Sequence, residues 1–155
     1  MTDSIAARLE TLGHVLPQPA APVAAYVPTV EVNGLLHVSG QLPFIDGKLV
    51  TGRLGEDVDV AGGTAAAQAC GLMLLAQAKA ALGSLDRVER VVKLGAFISS
   101  TADFTDQPKV ANGASELMAT AFGDAGKHAR SAVGVPVLPL GAAVEIDAVF
   151  AVRPV

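Results

Sequence analysis

The sequence predicts an α+β fold, in which a mixed β-sheet carries two main helices on one face and follows a short N-terminal helix. Strand-like apolar segments alternate with two long helical segments, in the order helix, two strands, helix, strand, helix, two strands. Few of these strands can be joined by parallel crossovers, so we expect a mixed sheet and not a doubly wound parallel one.

The N-terminal segment predicts a short helix over residues 4–13. Ile5, Leu9 and Leu12 recur at helical spacing and would form its apolar face. Ser4 is a residue type that caps helices, so we expect it to be the N-cap.

Three prolines within residues 16–23 indicate an extended linker after this helix. A chain of 155 residues has the usual size of one domain. We therefore divide the chain into an N-terminal helix with a Pro-rich extension, residues 1–23, and a single domain, residues 24–155.

The next elements are a hairpin, a turn region and a long helix. Asn33 and Gly34 separate two apolar segments, which is a strong signal for two paired strands. Residues 46–55 are rich in turn-forming residues. The Ala-rich segment 60–82 predicts a long helix, and Gly83 would end it.

The last third of the chain predicts a buried strand, a second long helix and two closing strands. Residues 87–99 are largely apolar and indicate the buried strand. Residues 108–122 place apolar side chains at helical spacing, and Gly123 follows them. Residues 128–152 predict two apolar strands joined as a hairpin by a turn that contains proline and glycine.

The low charge content indicates that part of the surface is covered. Charged residues make up 17% of the chain, against about 25% in an average soluble domain. Hydrophobic residues make up 51%, and the mean hydropathy is +0.47. A domain of this size has too much surface for so few charges to cover, so we expect a homo-oligomer.

Composition also weighs against several classes of protein. The net charge of −4 and the 4% of aromatic residues argue against a nucleic-acid surface. The acidic N-terminus is unlike a signal peptide, and no apolar run reaches the about 18 residues that a membrane span needs. The single cysteine excludes a disulfide within the chain. We therefore expect a cytoplasmic protein with neither a membrane nor a nucleic-acid partner.

No metal or cofactor motif is visible in the sequence. His14, His37 and His128 lie in separate segments without ligand spacing. Cys70 lies among small apolar residues of the long predicted helix, where packing explains it better than nucleophilic chemistry. The segment "GGTAAAQ" lacks the lysine of a phosphate-binding loop.

Two charged residues stand out in the apolar segment 128–152. Arg130 lies at the start of its first strand, and Glu145 lies early in the second, facing away from the apolar residues together with Asp147. One interpretation is a cross-strand ion pair on a solvent-facing surface. The other is a carboxylate-binding site, because a guanidinium holds a carboxylate through two parallel hydrogen bonds and a sheltered glutamate can deprotonate water.

Motifs in this segment favour the carboxylate-binding site through a family resemblance. Ala-Arg-Ser at 129–131 opens a strand, Leu138 and Pro139 form a turn, and "VEIDA" follows at 144–148. This pattern resembles the Rid/YjgF family, the reactive intermediate deaminases that are also labelled endoribonuclease L-PSP. The spacing from the arginine to the glutamate is similar to that of the family.

Further motifs extend the resemblance over nearly the whole chain from Tyr26 onward. "SGQLP" at residues 39–43 resembles the family's early strand. Tyr26 corresponds to the family's active-site tyrosine. Residues 103–118 resemble the segment whose asparagine lines the pocket, which here is Asn112.

The resemblance implies a chorismate-mutase-like fold and a homotrimer with sites in the clefts between subunits. It implies that Arg130 holds the substrate carboxylate and that Glu145 positions the attacking water, with no cofactor. The substrate-binding residues that it implies are Tyr26, Ser39, Gly40, Asn112 and Ser131.

The implied reaction is hydrolytic deamination of reactive 2-imino acids or enamines to 2-oxo acids and ammonia, of the 2-iminobutanoate and 2-iminopropanoate type. The alternative is a trimeric protein that binds carboxylate metabolites without turnover. The acidic charge and scarce aromatic residues disfavour an endoribonuclease. Ala132 stands where many family members have cysteine, a residue that the hydrolytic chemistry does not need.

Overall fold

The computed structural model describes residues 2–22 and 24–155. The helices are α1 (Ser4–Thr11), α2 (Val60–Leu82) and α3 (Gln107–Phe122). The strands are β1 (Thr29–Val32), β2 (Leu35–Gln41), β3 (Phe44–Ile45), β4 (Lys48–Leu49), β5 (Val88–Ser99), β6 (Ala129–Val135) and β7 (Val144–Val152).

The main sheet has the strand order β1-β2-β7-β5-β6. Strands β5 and β6 are parallel, and the other neighbouring pairs are antiparallel. Helices α2 and α3 pack against each other and against this sheet. The predicted mixed α+β architecture is therefore confirmed.

Strand β7 shows why the sheet has two different faces. Its buried residues alternate with the partly exposed Glu145, Asp147, Val149 and Ala151, so the buried set points to one side of the sheet. That side lies under the helices and forms the core. The buried residues of the strand are Val144, Ile146, Ala148, Phe150 and Val152.

Helix α2 is the central core helix. The Asp59 side chain caps it by accepting a hydrogen bond of 2.7 Å from the Gly62 N–H, and Gly83 ends it at φ +83°. By length and composition it could cross a membrane. However, 67% of its most apolar window is buried inside this chain, as expected for the core helix of a folded domain.

The predicted hairpin turn at Asn33-Gly34 forms, and a second turn forms within the turn-rich segment 46–55. Asn33 and Gly34 both have positive φ between β1 and β2, which confirms the predicted hairpin. Asp46 and Gly47 do the same between β3 and β4, a small separate sheet.

The first helix is confirmed, but its cap differs from the expectation. Asp3, not Ser4, is the N-cap, and its carboxylate accepts a hydrogen bond of 2.9 Å from the Ala6 N–H. Ser4 instead donates through its N–H and its hydroxyl to Asp86, at 2.9 and 2.8 Å. The helix start is thus tied to the turn before β5.

The apolar face of α1 is narrower than predicted. Leu9 is fully buried in the main core and Ile5 packs against that core, whereas the Leu12 side chain is 54% exposed. The boundary proposed between residues 1–23 and 24–155 stays a prediction.

The expected hairpin over residues 128–152 is wrong. Strands β6 and β7 form, but β5 lies between them and pairs with both. Helix α3 returns the chain to the end of the sheet where β5 begins, which makes β6 parallel to β5. The Pro/Gly turn is therefore part of a connection over residues 136–143 that crosses the C-terminal end of β5.

Candidate functional site

Arg130 points to the helix side of the sheet. It lies in register with Leu94 of β5, which is buried under the helices. Its Nη1 donates to Asn112 Oδ1 at 2.8 Å and to Ser115 Oγ at 3.1 Å, and its Nη2 donates to the Pro108 carbonyl at 3.3 Å. These acceptors are all neutral and all belong to α3.

Helix geometry explains why α3 can hold the guanidinium. Asn112 and Ser115 are three residues apart, so they lie on the same face of the helix. The three bonds to α3 use both Nη1 hydrogens and one Nη2 hydrogen of Arg130. Among the described residues, the Nε–H and the second Nη2–H find no acceptor, and these two donors sit on neighbouring nitrogens of the guanidinium.

His128 extends this network. Its Nδ1 lies 2.6 Å from the Gly126 carbonyl, which can only accept, so Nδ1 carries the hydrogen. In the neutral ring Nε2 then accepts the Ser115 hydroxyl proton at 2.9 Å. A cavity of about 420 Å³ lies over Asn112, Ser115, His128 and Arg130.

Glu145 lies on the opposite, open face of the sheet. Glu145 lies opposite Phe97 of β5, and Phe97 lies opposite Val133 of β6. The Val133 side chain is 45% exposed, so this face of the sheet is open. Its carboxylate lies directly against Gly40 of β2, where any Cβ would collide with it. Burial, and secondarily the nearby Asp147 carboxylate, raises the pKa of Glu145.

Asp147 shares the open face with Glu145. Its carboxylate lies against Gly95 in the same way, and burial raises its pKa. A cavity of about 540 Å³ runs over this face and is lined by Ser39, Gly40, Ser131 and Asp147, among others. Three of the predicted substrate-binding residues, Ser39, Gly40 and Ser131, therefore line the same cavity on the face of the sheet that carries Glu145.

Tyr26 lies at the side of this open face. It lines a smaller cavity of about 110 Å³ together with Gly40. The Ser39 hydroxyl donates to the Val27 carbonyl at 2.9 Å, and the Ser39 N–H donates to the Pro28 carbonyl at 2.9 Å. These bonds attach the segment that follows Tyr26 to strand β2.

The structure does not bring Arg130 and Glu145 together within one chain. They lie on opposite faces of the sheet with β5 between them, and strand spacing and rise place their backbones about 14 Å apart. Within residues 2–22 and 24–155, the ion pairs are Arg87–Glu31, Lys109–Asp106 and Lys127–Asp124. The cross-strand ion pair between Arg130 and Glu145 is therefore wrong.

The predicted site residues thus form two groups. Asn112 belongs to α3 and Arg130 is hydrogen-bonded to it. Glu145 and the other predicted residues lie on or beside the open face. Sequence analysis missed Ser115, although its spacing of three from Asn112 on a predicted helix would have indicated it. It also gave His128 no part in the site, because nothing in the sequence shows that its ring meets α3.

Comparisons with known proteins agree with this fold. The model of the YjgF/chorismate mutase-like endoribonuclease family matches residues 6–151. Protein TCP17 of Trypanosoma cruzi is 55% identical over 146 residues, which cover 93% of this chain and 91% of that protein.

Two solved structures show how closely the backbone is shared. The protein Atu1372 of Agrobacterium tumefaciens, described as having unknown function, is 49% identical, with a TM-score of 0.89 over 96% of this chain and 94% of its own. RidA from the Antarctic bacterium Psychrobacter is 28% identical, with a TM-score of 0.61 over 87% and 94%. The chain therefore belongs to the YjgF/chorismate mutase-like endoribonuclease family.

Proposed function

We propose that this protein hydrolyses 2-imino acids, or their enamine tautomers, to 2-oxo acids and ammonia without a cofactor. The observation that carries the proposal is that Arg130 has no charged partner among its hydrogen-bond acceptors in the described chain. Arg130 is half-buried as a residue, and every acceptor that its guanidinium contacts in the described chain is neutral. A charge in this position favours an anionic partner, and a substrate carboxylate would supply one.

The hydrogen bonds of Arg130 support carboxylate binding in particular. The contacts with α3 fix the plane of the guanidinium before any ligand arrives, which reduces the entropy lost on binding. The Nε–H and the second Nη2–H stay available on adjacent nitrogens. Two parallel donors match the two oxygens of a carboxylate.

Glu145 supports the proposed hydrolysis. Its half-buried carboxylate has a raised pKa, so it is a stronger base than an exposed glutamate. In the proposed reaction a water oxygen bonds to the imine carbon, one water proton passes to Glu145, and the C=N electron pair moves to the nitrogen, which takes that proton from Glu145. The hydroxyl of the resulting carbinolamine then gives its proton to Glu145, which passes it to the amino group. The C–N bond breaks with its electron pair going to nitrogen, ammonia leaves, the C=O bond forms and Glu145 is again ionised.

The proposal requires more than one chain. Because Arg130 and Glu145 lie on opposite faces of one sheet, a site that uses both is best built from Arg130 of one subunit and Glu145 of the next. The open face also carries exposed apolar side chains, including Val30 at 50% and Val133 at 45%. Such a face suits association with another copy, as in the proposed homotrimer.

The first test is ammonia release. An amino-acid oxidase would generate imino acids from several amino acids, and the rate of ammonia release would be compared with and without this protein. We expect faster release with the wild type and none above background with Arg130→Ala. Arg8→Ala is the control, because Arg8 lies on α1 and its guanidinium donates to the Ala121 carbonyl, away from both groups of predicted site residues.

Equal rates with and without the wild-type protein would contradict the enzyme proposal. If the protein then still bound 2-oxo acids through Arg130, the alternative of a binding protein without turnover would replace it. RNA cleavage that persisted in Arg130→Ala after extensive purification would instead support the endoribonuclease label of the family.

A further inference from the structure

The small cavity beside Tyr26 is apolar on most of its wall. Of the residues that line it, Gly40 also holds the Glu145 carboxylate against its Cα. The cavity therefore adjoins the proposed base. The apolar side chains around it are those of Pro22, Tyr26, Pro28, Leu42, Phe44 and Leu140.

Leu140 reaches this cavity from an unusual backbone conformation. It has φ +61° and ψ 12°, in the left-handed region that leucine seldom adopts. The turn holds it there, because the Gly141 N–H donates to the Leu138 carbonyl and the Gly52 N–H donates to the Gly141 carbonyl. Backbone strain retained in this way often marks a functional position.

The N-terminal extension forms the opposite wall. Buried Gln77 of α2 donates to the Ala20 carbonyl at 2.7 Å, which fixes the Pro-rich segment against the domain. Ala20 and Pro22 then line the cavity. The extension thus lines the same cavity as Gly40 and is more than a linker.

From these contacts we infer that the cavity is a specificity subsite for the side chain of the substrate, with Leu140 as its main determinant. This inference rests on the proposed deamination at the same site. The volume of about 110 Å³ equals that of between three and four water molecules at about 30 Å³ each. The subsite therefore favours compact aliphatic side chains of three or four carbons over charged ones.

The test compares two substrates in wild type and Leu140→Asn. Asparagine adopts the left-handed conformation readily, so the backbone is kept while the apolar wall is lost. For the imine of leucine we expect kcat/KM to fall about tenfold. For the imine of alanine, whose methyl group does not fill the cavity, we expect a clearly smaller fall, so that the ratio of the two kcat/KM values changes.

Val137→Asn is the matched control, since Val137 is an exposed apolar residue of the same connection and does not line the cavity. A second variant, Ala21→Phe, would fill the cavity from the other wall and should also lower the activity toward the leucine imine selectively. Equal loss for both substrates, or no loss for either in both variants, would overturn the inference.

A binding measurement separates this inference from the proposed reaction. Calorimetry would compare 4-methyl-2-oxopentanoate with 2-oxopropanoate. If no imine is hydrolysed, but the wild type prefers the branched acid and Leu140→Asn loses that preference, the proposed reaction fails and the subsite stands. If the wild type shows no preference, the subsite fails as well.

Discussion

Arg130 is the residue on which the proposed chemistry depends. In one chain its guanidinium is held by α3, and the carboxylate expected to pair with it lies on the other face of the sheet. The sequence indicated both charges and the face on which Glu145 lies, but not the face of Arg130. Arginine and glutamate on consecutive strands look adjacent until the strand inserted between them is known.

Replacing Arg130 by lysine tests whether the two parallel N–H donors of the guanidinium are needed, and not only its positive charge. Arg130→Lys keeps the charge but cannot supply two parallel donors, so we expect it to recover little of the activity that Arg130→Ala loses. Losing such a contact costs about 2–5 kcal/mol, which corresponds to roughly a 30-fold or larger fall in kcat/KM. Steady-state kinetics on one imine would measure it. Near wild-type kcat/KM in Arg130→Lys would contradict bidentate binding.

Asp147 should add to the effect of burial in raising the pH at which Glu145 becomes active. Burial and the Asp147 charge both raise the pKa of Glu145, so the base is ionised only above the ordinary glutamate range. Activity should therefore fall as the pH drops through that raised pKa. In Asp147→Asn the charge repulsion is absent, and the acid limb of the kcat/KM profile should move to lower pH. An unchanged limb would show that Asp147 does not act on Glu145.

At the scale of elements, most of the fold could be predicted because the signals are local. The helix over residues 60–82 follows from its alanines and Gly83, and the β1–β2 hairpin follows from Asn33-Gly34. The pairing of β6 with β5 could not be predicted. Parallel pairing brings together strands separated by a whole helix, and no short-range signal specifies it.

Contact between α2 and α3 positions the residues that hold Arg130. Gly113 of α3 faces the Thr64 carbonyl of α2, and a Cβ there would collide with that backbone oxygen. Gly113→Ala should push the helices apart, cost about 1–3 kcal/mol and displace the neighbouring Asn112. We expect a lower Tm in thermal unfolding and a raised KM.

A helix-propensity control accompanies this variant. Thr120 is an exposed residue of the same helix, and Thr120→Ala also introduces alanine but causes no collision between helices. The higher helix propensity of alanine should stabilise this variant by up to about 0.7 kcal/mol and leave KM unchanged. A Tm at or above the wild-type value in Gly113→Ala would show that the two helices do not need this close contact.

At the scale of the whole molecule, the low charge content and the apolar open face both favour association. We expect light scattering at micromolar concentration to give a mass near three chains, because the 15.6 kDa chain alone leaves this face uncovered. Arg130→Ala should keep the same mass, since the proposed partner of Arg130 is a ligand. A stable wild-type monomer would contradict both the trimer and a site between subunits.

The most direct test of a site shared between subunits is to mix two inactive variants. Arg130→Ala and Glu145→Gln would each be prepared alone and shown to be inactive and trimeric. Coexpression in equal amounts then gives mixed trimers, each of which has one cleft where an intact Arg130 meets an intact Glu145 of its neighbour. With random assembly, mixed trimers make up about three quarters of all trimers, and each mixed trimer has one working cleft in three. The expected activity is therefore about a quarter of the wild-type value. Activity no higher than that of either variant alone would contradict the shared site and place both residues' function within one chain.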